Sequence, residues 1–462
     1  MTSRPIADRL TRRLLLIALL ALALRVMLVF SGGQFYWPDE TRYGQAVEML
    51  EELSHFQIGQ AALRLSGGDH PLFKVFALIP AFLQKHFGQS PRIPGVYFAV
   101  YSAASILLIG LIARRLGSPP GEALLASVLL AASSSFFYFS RHVVPYDVAM
   151  MLGLAALYVG ARPGDRLTTS AWCGVLAGCA FLTYAGYWTL SAVAVLVHVV
   201  RAGSVPQAMR RGVVAGAGLG APAAVALAVT LPLGGNLAGN LAGFSHQVTQ
   251  GDFAEGWRLP WEYLWHAEHG LLVVWAIGTV CGLVLIRRIS TTAKAALLGG
   301  ATVYGALAFT STILHKFVVY GRLSRQIVPF LCLATAGALW SLGERVSIRF
   351  RVAFIGVVVA LVAGQAAFNM REVFRVTFPR DFLREALSDP RVTSPDVLFP
   401  INVEHIYPSP VTVRLPDEFL VLRRAPHPLQ FRPYQYEGYT PAERAVLRSR
   451  DINMTMLLVP DR

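Results

Sequence analysis

The chain has 462 residues, 54% of them hydrophobic and only 15% charged, where soluble domains carry roughly a quarter charged residues. Mean hydropathy is +0.50, and the apolar residues come in long runs, which excludes an ordinary soluble globule. The formal net charge of +14 would suggest nucleic acid in a soluble chain. Here the basic residues sit mostly at the ends of apolar runs, as the positive-inside rule requires, so the charge reads as topology and nucleic acid is not an expected partner.

In chain order, Leu14–Phe30 is broken only by Arg25. Basic residues precede this run and no small-residue cleavage site follows it, so it reads as a membrane anchor and not a signal peptide. Arg4, Arg9, Arg12 and Arg13 put the N-terminus in the cytoplasm. A polar-to-amphipathic stretch, 32–92, follows on the outer side. Within it, 72–87 reads as an interfacial helix on the outer leaflet, because a full span there would flip every later basic loop outward. Further spans are expected near 93–113, 121–140 and 147–161. The stretch 171–200 is long for one helix, has Gly186 near its middle, and is read as two short spans.

A span near 212–232 then leads to an outer loop, 233–268, which contains Trp257, Trp261 and Trp265. The last spans fall near 270–286, 296–314, 325–342 and 352–368. The expected fold is therefore mainly α, a polytopic transmembrane helical bundle of about eleven spans. From about 369 prolines and charges return with short β-type runs, so 1–368 reads as the membrane domain and 369–462 as a small α/β extracytoplasmic tail. Cys173, Cys179, Cys281 and Cys332 lie inside apolar segments without metal-ligand spacing and read as small buried hydrophobes.

Four short motifs could carry chemistry. Trp37-Pro38-Asp39-Glu40-Thr41-Arg42-Tyr43 puts two carboxylates just past the first span. Asp39 could cap the following helix, a role compatible with catalysis. Ser140-Arg141-His142-Val143-Val144-Pro145-Tyr146-Asp147 puts an acid and two cations in one outer loop. Asp147 could equally be a helix cap, but acids converging at the ends of adjacent spans raise the odds of a site. Gly67-Gly68-Asp69-His70-Pro71-Leu72 reads as a turn before the interfacial helix. Tyr320-Gly321-Arg322-Leu323-Ser324-Arg325-Gln326 brings two arginines into a span from the outer side, to snorkel to headgroups or to clamp phosphate.

The order and common sidedness of these motifs, with Gly174-Val175-Leu176-Ala177-Gly178-Cys179-Ala180-Phe181-Leu182-Thr183 between them, resemble the GT-C class of membrane glycosyltransferases. The nearest pattern is that of protein O-mannosyltransferases and lipid A aminoarabinose transferases, over roughly residues 10–345. The resemblance implies a donor with its sugar on one polyprenyl phosphate. It places Asp39 on the catalytic base, Asp147 on a second acid near the acceptor or an ion, and His70 near the donor phosphate. It departs where one Pro of the usual pair after His70 is missing, and where Tyr184 stands in place of a common Lys.

The residue types fit that chemistry independently. A phosphate leaving group needs cations to hold its charge, supplied by Arg322, Arg325, Arg141 or His70. The acceptor hydroxyl needs one carboxylate base on the opposite face of the sugar, an inverting arrangement, with Asp39 as the base and Glu40 beside it. A divalent metal could use Asp39 and Asp147, though no His/Cys spacing demands one. The expected partners are the polyprenyl-phosphate-linked sugar, a lipid, glycan or protein acceptor, and membrane lipids. A transporter or lipid flippase is the alternative, and a membrane scaffold the third reading; transporters tend to show repeats and helices broken around buried charge.

Overall fold

In hydrocarbon every backbone N–H and C=O must be satisfied internally, so long apolar runs close into helices. A computed structural model of the chain describes residues 4–31, 41–67, 70–87, 92–139, 143–250, 257–314, 321–344 and 347–375. Of the α/β tail expected over 369–462, residues 369–375 continue the last helix and 376–462 lie outside the described residues. Every described element is helical.

The first helix, α1 (Arg4–Ser31), is followed by α2 (Thr41–Ser54), α3 (Ile58–Arg64) and α4 (Pro71–Phe87). Then come α5 (Arg92–Arg115), α6 (Pro120–Ala132), α7 (Ser134–Tyr138), α8 (Tyr146–Gly160), α9 (Leu167–Thr183) and, after a 3-10 turn at Ala185–Tyr187, α10 (Trp188–Val200). The chain continues with α11 (Val205–Thr230), α12 (Leu237–Gln250), α13 (Leu259–Glu268), α14 (Gly270–Val284) and α15 (Thr291–Thr312). It ends with α16 (Gly321–Ser324), α17 (Val328–Gly343) and α18 (Ile348–Arg375).

Among the described residues, the 6 helices long and apolar enough to cross a membrane are α1, α5, α11, α15, α17 (with the turn before it) and α18. Shorter apolar helices of 10–17 residues, α6, α8, α9, α10 and α14, fall at the other expected spans. The chain is a helical integral membrane protein.

Packing follows the small residues. The α9 and α11 helices run against each other so closely that a Cβ at Gly174, Gly178 or Gly218 would collide with the facing backbone, the kind of small-residue contact that lets helices associate in lipid. Helix α5 packs on α1, α6 and α8, while α17 packs on α6, α14 and α15 and is buried almost along its whole length.

Two expectations change in detail. The stretch 121–140 is not one helix: α6 stops at Ala132, and Ser133 adopts extended backbone (φ −66°, ψ 127°) before α7. The cause is the buried carboxylate of Glu268, which collects the hydrogen bonds of the serine run. The break in 171–200 is present, but its hinge is Tyr184, in extended backbone (φ −154°, ψ 102°), with Gly186 inside the following turn. The segment read as interfacial is α4, which buries Phe73, Lys74, Ala77 and Ala81 while leaving Ile79, Phe82 and Phe87 exposed.

The two ends of the bundle differ. At one, Arg115 lies over the ring of Tyr158 at 3.4 Å and donates to its hydroxyl at 2.6 Å. Arg211 reaches Asp165 at 3.3 Å, and Glu122 accepts from Ser118 at 2.7 Å and Ser290 at 2.6 Å. These contacts tie loops together. The other end carries α2 to α4, α7, α12, α13 and a buried charged centre.

Candidate active site

The centre is built where α8, α17, α1 and the α9–α10 break meet. Asp147 lies in the first turn of α8, whose N-cap is Pro145, so capping is not its role. Its Oδ1 accepts a hydrogen bond from Nη2 of Arg325, and both side chains are buried. Arg325 begins the 3-10 turn that leads into α17. Its guanidinium sits over Phe136 at 4.4 Å and Phe139 at 5.3 Å, so aromatic faces supply part of the stabilisation that water no longer gives.

Arg25, the lone charge within the first apolar run, is fully buried too. Its Nε donates to Ser102 Oγ at 2.9 Å and its Nη1 to Ala21 O at 3.1 Å, and its charge faces both Asp147 and Arg325. Ser102 in turn donates to Phe136 O at 2.7 Å, which ties the two arginines into one structure. Two guanidiniums therefore share one carboxylate. Arg325 Nε and Nη1, Arg25 Nη2 and Asp147 Oδ2 have no hydrogen-bond partner among the described residues.

A row of rings leads outward from this centre. Tyr187 faces Arg325 and Asp147, and its ring meets Tyr184 edge-to-face at 5.1 Å. Tyr184 also meets Tyr146 at 4.8 Å and the imidazole of His70 at 5.0 Å. The hinge residue of the broken helix thus joins His70 to the ion pair. Gln326 holds the hinge: its Oε1 accepts from Thr189 Oγ1 at 2.7 Å and Leu190 N at 3.1 Å, and its Nε2 donates to Gly186 O at 2.9 Å. Lys74, buried in α4, donates to Arg64 O at 2.6 Å and to Gly67 O, fixing the turn before His70.

Glu268 closes the site from α13. It accepts from Ser133 Oγ at 2.7 Å, Ser134 N at 2.7 Å, Ser135 N at 3.0 Å and Ser135 Oγ. Asn369 adds a bond to Ser134 Oγ at 2.6 Å. Burial pushes the Glu268 carboxyl up from its ordinary range, and the serine hydrogen bonds pull it back. The effect is to nail α7, with Phe136, against Arg325.

Of the residues singled out by sequence, Asp147 and Arg325 are brought into contact, and His70 lies against Tyr184, whose ring also meets Tyr146 and Tyr187. Asp39, Glu40 and Arg141 lie outside the described residues, as does the side chain of Arg322, whose backbone lies in α16. Arg25, Tyr187, Gln326 and Glu268 were not foreseen. The signal for Arg25 was its isolation in an apolar span, the expected mark of an intramembrane functional charge; the others gave none. Among the described residues no three His, Cys, Asp or Glu side chains converge as metal ligands. Of the two carboxylates a divalent metal could use, Asp147 faces Arg325 and Arg25, and Asp39 lies outside the described residues.

The arrangement of the helices gives the class: the chain has the GT-C membrane glycosyltransferase fold. That fold is seen in ArnT from Cupriavidus metallidurans in the apo state, which the chain matches with a TM-score of 0.50 and 14% identity over 82% of this chain and 70% of that one. The archaeal oligosaccharyltransferase AglB from Archaeoglobus fulgidus, in complex with an inhibitory peptide and a dolichol-phosphate, matches at a TM-score of 0.46 and 12% identity, over 82% of this chain and 58% of that one. An Archaeoglobus fulgidus oligosaccharyltransferase in complex with Zn and sulfate matches at 0.45 and 13%, over 82% and 55%. The chain thus spans less than two thirds of the two oligosaccharyltransferases. No protein-family model and no curated protein match the sequence.

Proposed function

We propose that the protein is a glycosyltransferase that moves a sugar, hexosyl or pentosyl, from a polyprenyl-phosphate donor to an acceptor hydroxyl on the extracytoplasmic side. The observation that carries this is the Arg25–Asp147–Arg325 cluster, in which, among the described residues, two buried guanidiniums face one buried carboxylate. A lipid-borne phosphate supplies the missing negative charge, and guanidinium matches its oxygens. In a low-dielectric site such donors are effective at holding charge that builds on a leaving phosphate. The GT-C fold supports the same reading.

In this reading Arg325 and Arg25 hold the phosphate, with Arg322, Arg141 and His70 completing the contacts. Asp147 orients Arg325. Asp39 takes the acceptor proton as general base, from the face of the sugar opposite the phosphate, which gives inversion. Glu40 supports the start of α2. The loop-tying arginines at the other end of the bundle lie in the cytoplasm, and the C-terminal tail, 369–462, lies outside.

A transporter reading draws on the break at Tyr184 beside buried charge. The two separate in cells. Deleting the gene should change the mass of an envelope lipid or glycan, and the wild-type protein but not an equally expressed Asp39→Asn variant should restore it. An unchanged envelope, or full restoration by Asp39→Asn, would sink the transferase reading.

A further inference from the structure

Helix α13 has a second face, turned away from the charged centre. Tyr263, Leu264, Ala267 and Glu268 are buried, and Tyr263 faces Arg325. Trp261 and Trp265, one turn apart on the same face of α13, and Trp257, just before the helix begins, are instead 38%, 51% and 43% exposed. They do not point freely outward. With Leu272 of α14 and Tyr304 of α15 they line an open surface depression of about 450 Å³, and Arg258 and Glu262 complete its wall. Tyr304 fixes the arrangement: its hydroxyl donates to Trp257 O at 2.8 Å, and its ring lies 5.3 Å from that of Trp261.

Aromatic residues also anchor membrane proteins at the lipid interface. An anchor, however, needs no concave wall shared by three helices, nor an acid and a base within it. Ligand pockets of about 300–1,000 Å³ are lined by aromatic faces with a few polar groups that fix orientation. A sugar ring has that complement: apolar C–H faces to lie on indole, and edge hydroxyls for Arg258 and Glu262. An isoprenoid tail would leave those two charged groups against hydrocarbon at a desolvation cost. Only the thickness of one helix, about 10 Å, separates this wall from the side of α13 that faces Arg325.

The geometry points to a carbohydrate subsite at Trp257, Trp261, Trp265 and Tyr304, which holds a sugar unit of the acceptor. As an acceptor site it rests on the transferase reading; as a sugar-binding site it does not. The test is saturation-transfer NMR on the full chain in lipid nanodiscs, with methyl β-glucoside, methyl α-mannoside and N-acetylglucosamine as probes. Ring C–H protons of at least one probe should receive saturation. Trp261→Ala/Trp265→Ala should weaken that binding at least about fivefold, close to 1 kcal/mol, and Trp261→Phe/Trp265→Phe should retain most of it. These side chains are partly exposed, so the variants should fold.

No signal from any probe, or an unchanged signal in the alanine variant, overturns the subsite. So does a signal confined to the isoprenoid methyls of added polyprenyl monophosphate and lost in the same variant, which would make the depression a tail groove. If sugar binding behaves as expected while gene deletion leaves the envelope unchanged, the transferase reading fails and the subsite stands.

Discussion

Replacing the partners of the buried ion pair one at a time separates a phosphate clamp from a purely structural bridge. Removing one member of such a pair typically costs about 3–5 kcal/mol. Here the cost should be asymmetric. Asp147→Asn leaves Arg25 and Arg325 buried with no carboxylate between them, so it should sit at the upper end, about 5 kcal/mol. Arg325→Gln leaves Asp147 with the field of Arg25, so it should sit at or below the lower end, about 3 kcal/mol. Polyprenyl monophosphate reverses the order. A hydrogen bond to a charged group contributes about 1.5–3 kcal/mol, so Arg325→Gln should weaken lipid-phosphate binding about 10- to 150-fold. At a lipid concentration 100 times the parent Kd, the parent gains about 2.7 kcal/mol, whereas a variant 100-fold weaker gains only about 0.4 kcal/mol. Asp147→Asn, with its extra positive charge uncompensated, should gain at least as much as the parent. The assay is thermal unfolding of the purified proteins in nanodiscs with and without polyprenyl monophosphate. Lipid stabilisation of Arg325→Gln equal to that of the parent would refute the clamp, and so would its complete loss in a folded Asp147→Asn.

Three further outcomes are expected. Asp39→Asn should fold and bind the polyprenyl donor yet transfer sugar at least about a hundredfold more slowly, the usual scale for a positioned base, with Glu40→Gln milder; single-turnover kinetics on purified protein would show it, and a near-parent rate would move the base to Asp147 or Glu40. A reporter fused after residue 462 should behave as extracytoplasmic, and a cytoplasmic signal would overturn the span count. Glu268→Ala should free the serine donors at the start of α7 and lower stability by at least about 3 kcal/mol, because several buried donors lose their acceptor together; an unchanged melting temperature would show that α7 holds its place without Glu268.

The helical membrane character was legible in the sequence because lipid imposes a one-dimensional rule: an apolar run of sufficient length must be a helix, and its flanking charges orient it. The break within 171–200 and the amphipathic α4 were readable for the same reason, as local departures from a uniform run. Asp147, His70 and Arg325 could be named as candidates from their motifs. The contact between Asp147 and Arg325 could not, since they are 178 residues apart and meet only when α8 packs near the start of α17. Nor does any local pattern tell Glu268 from an ordinary surface carboxylate. Its role comes from the hydrogen bonds that the serine run leaves unmade when α6 ends, a demand created by burial across 135 residues of chain. Periodicity and charge, which act along the chain, determined the helical membrane character; the pairing of buried charges, which depends on which helices share a buried interior, was decided by tertiary structure alone.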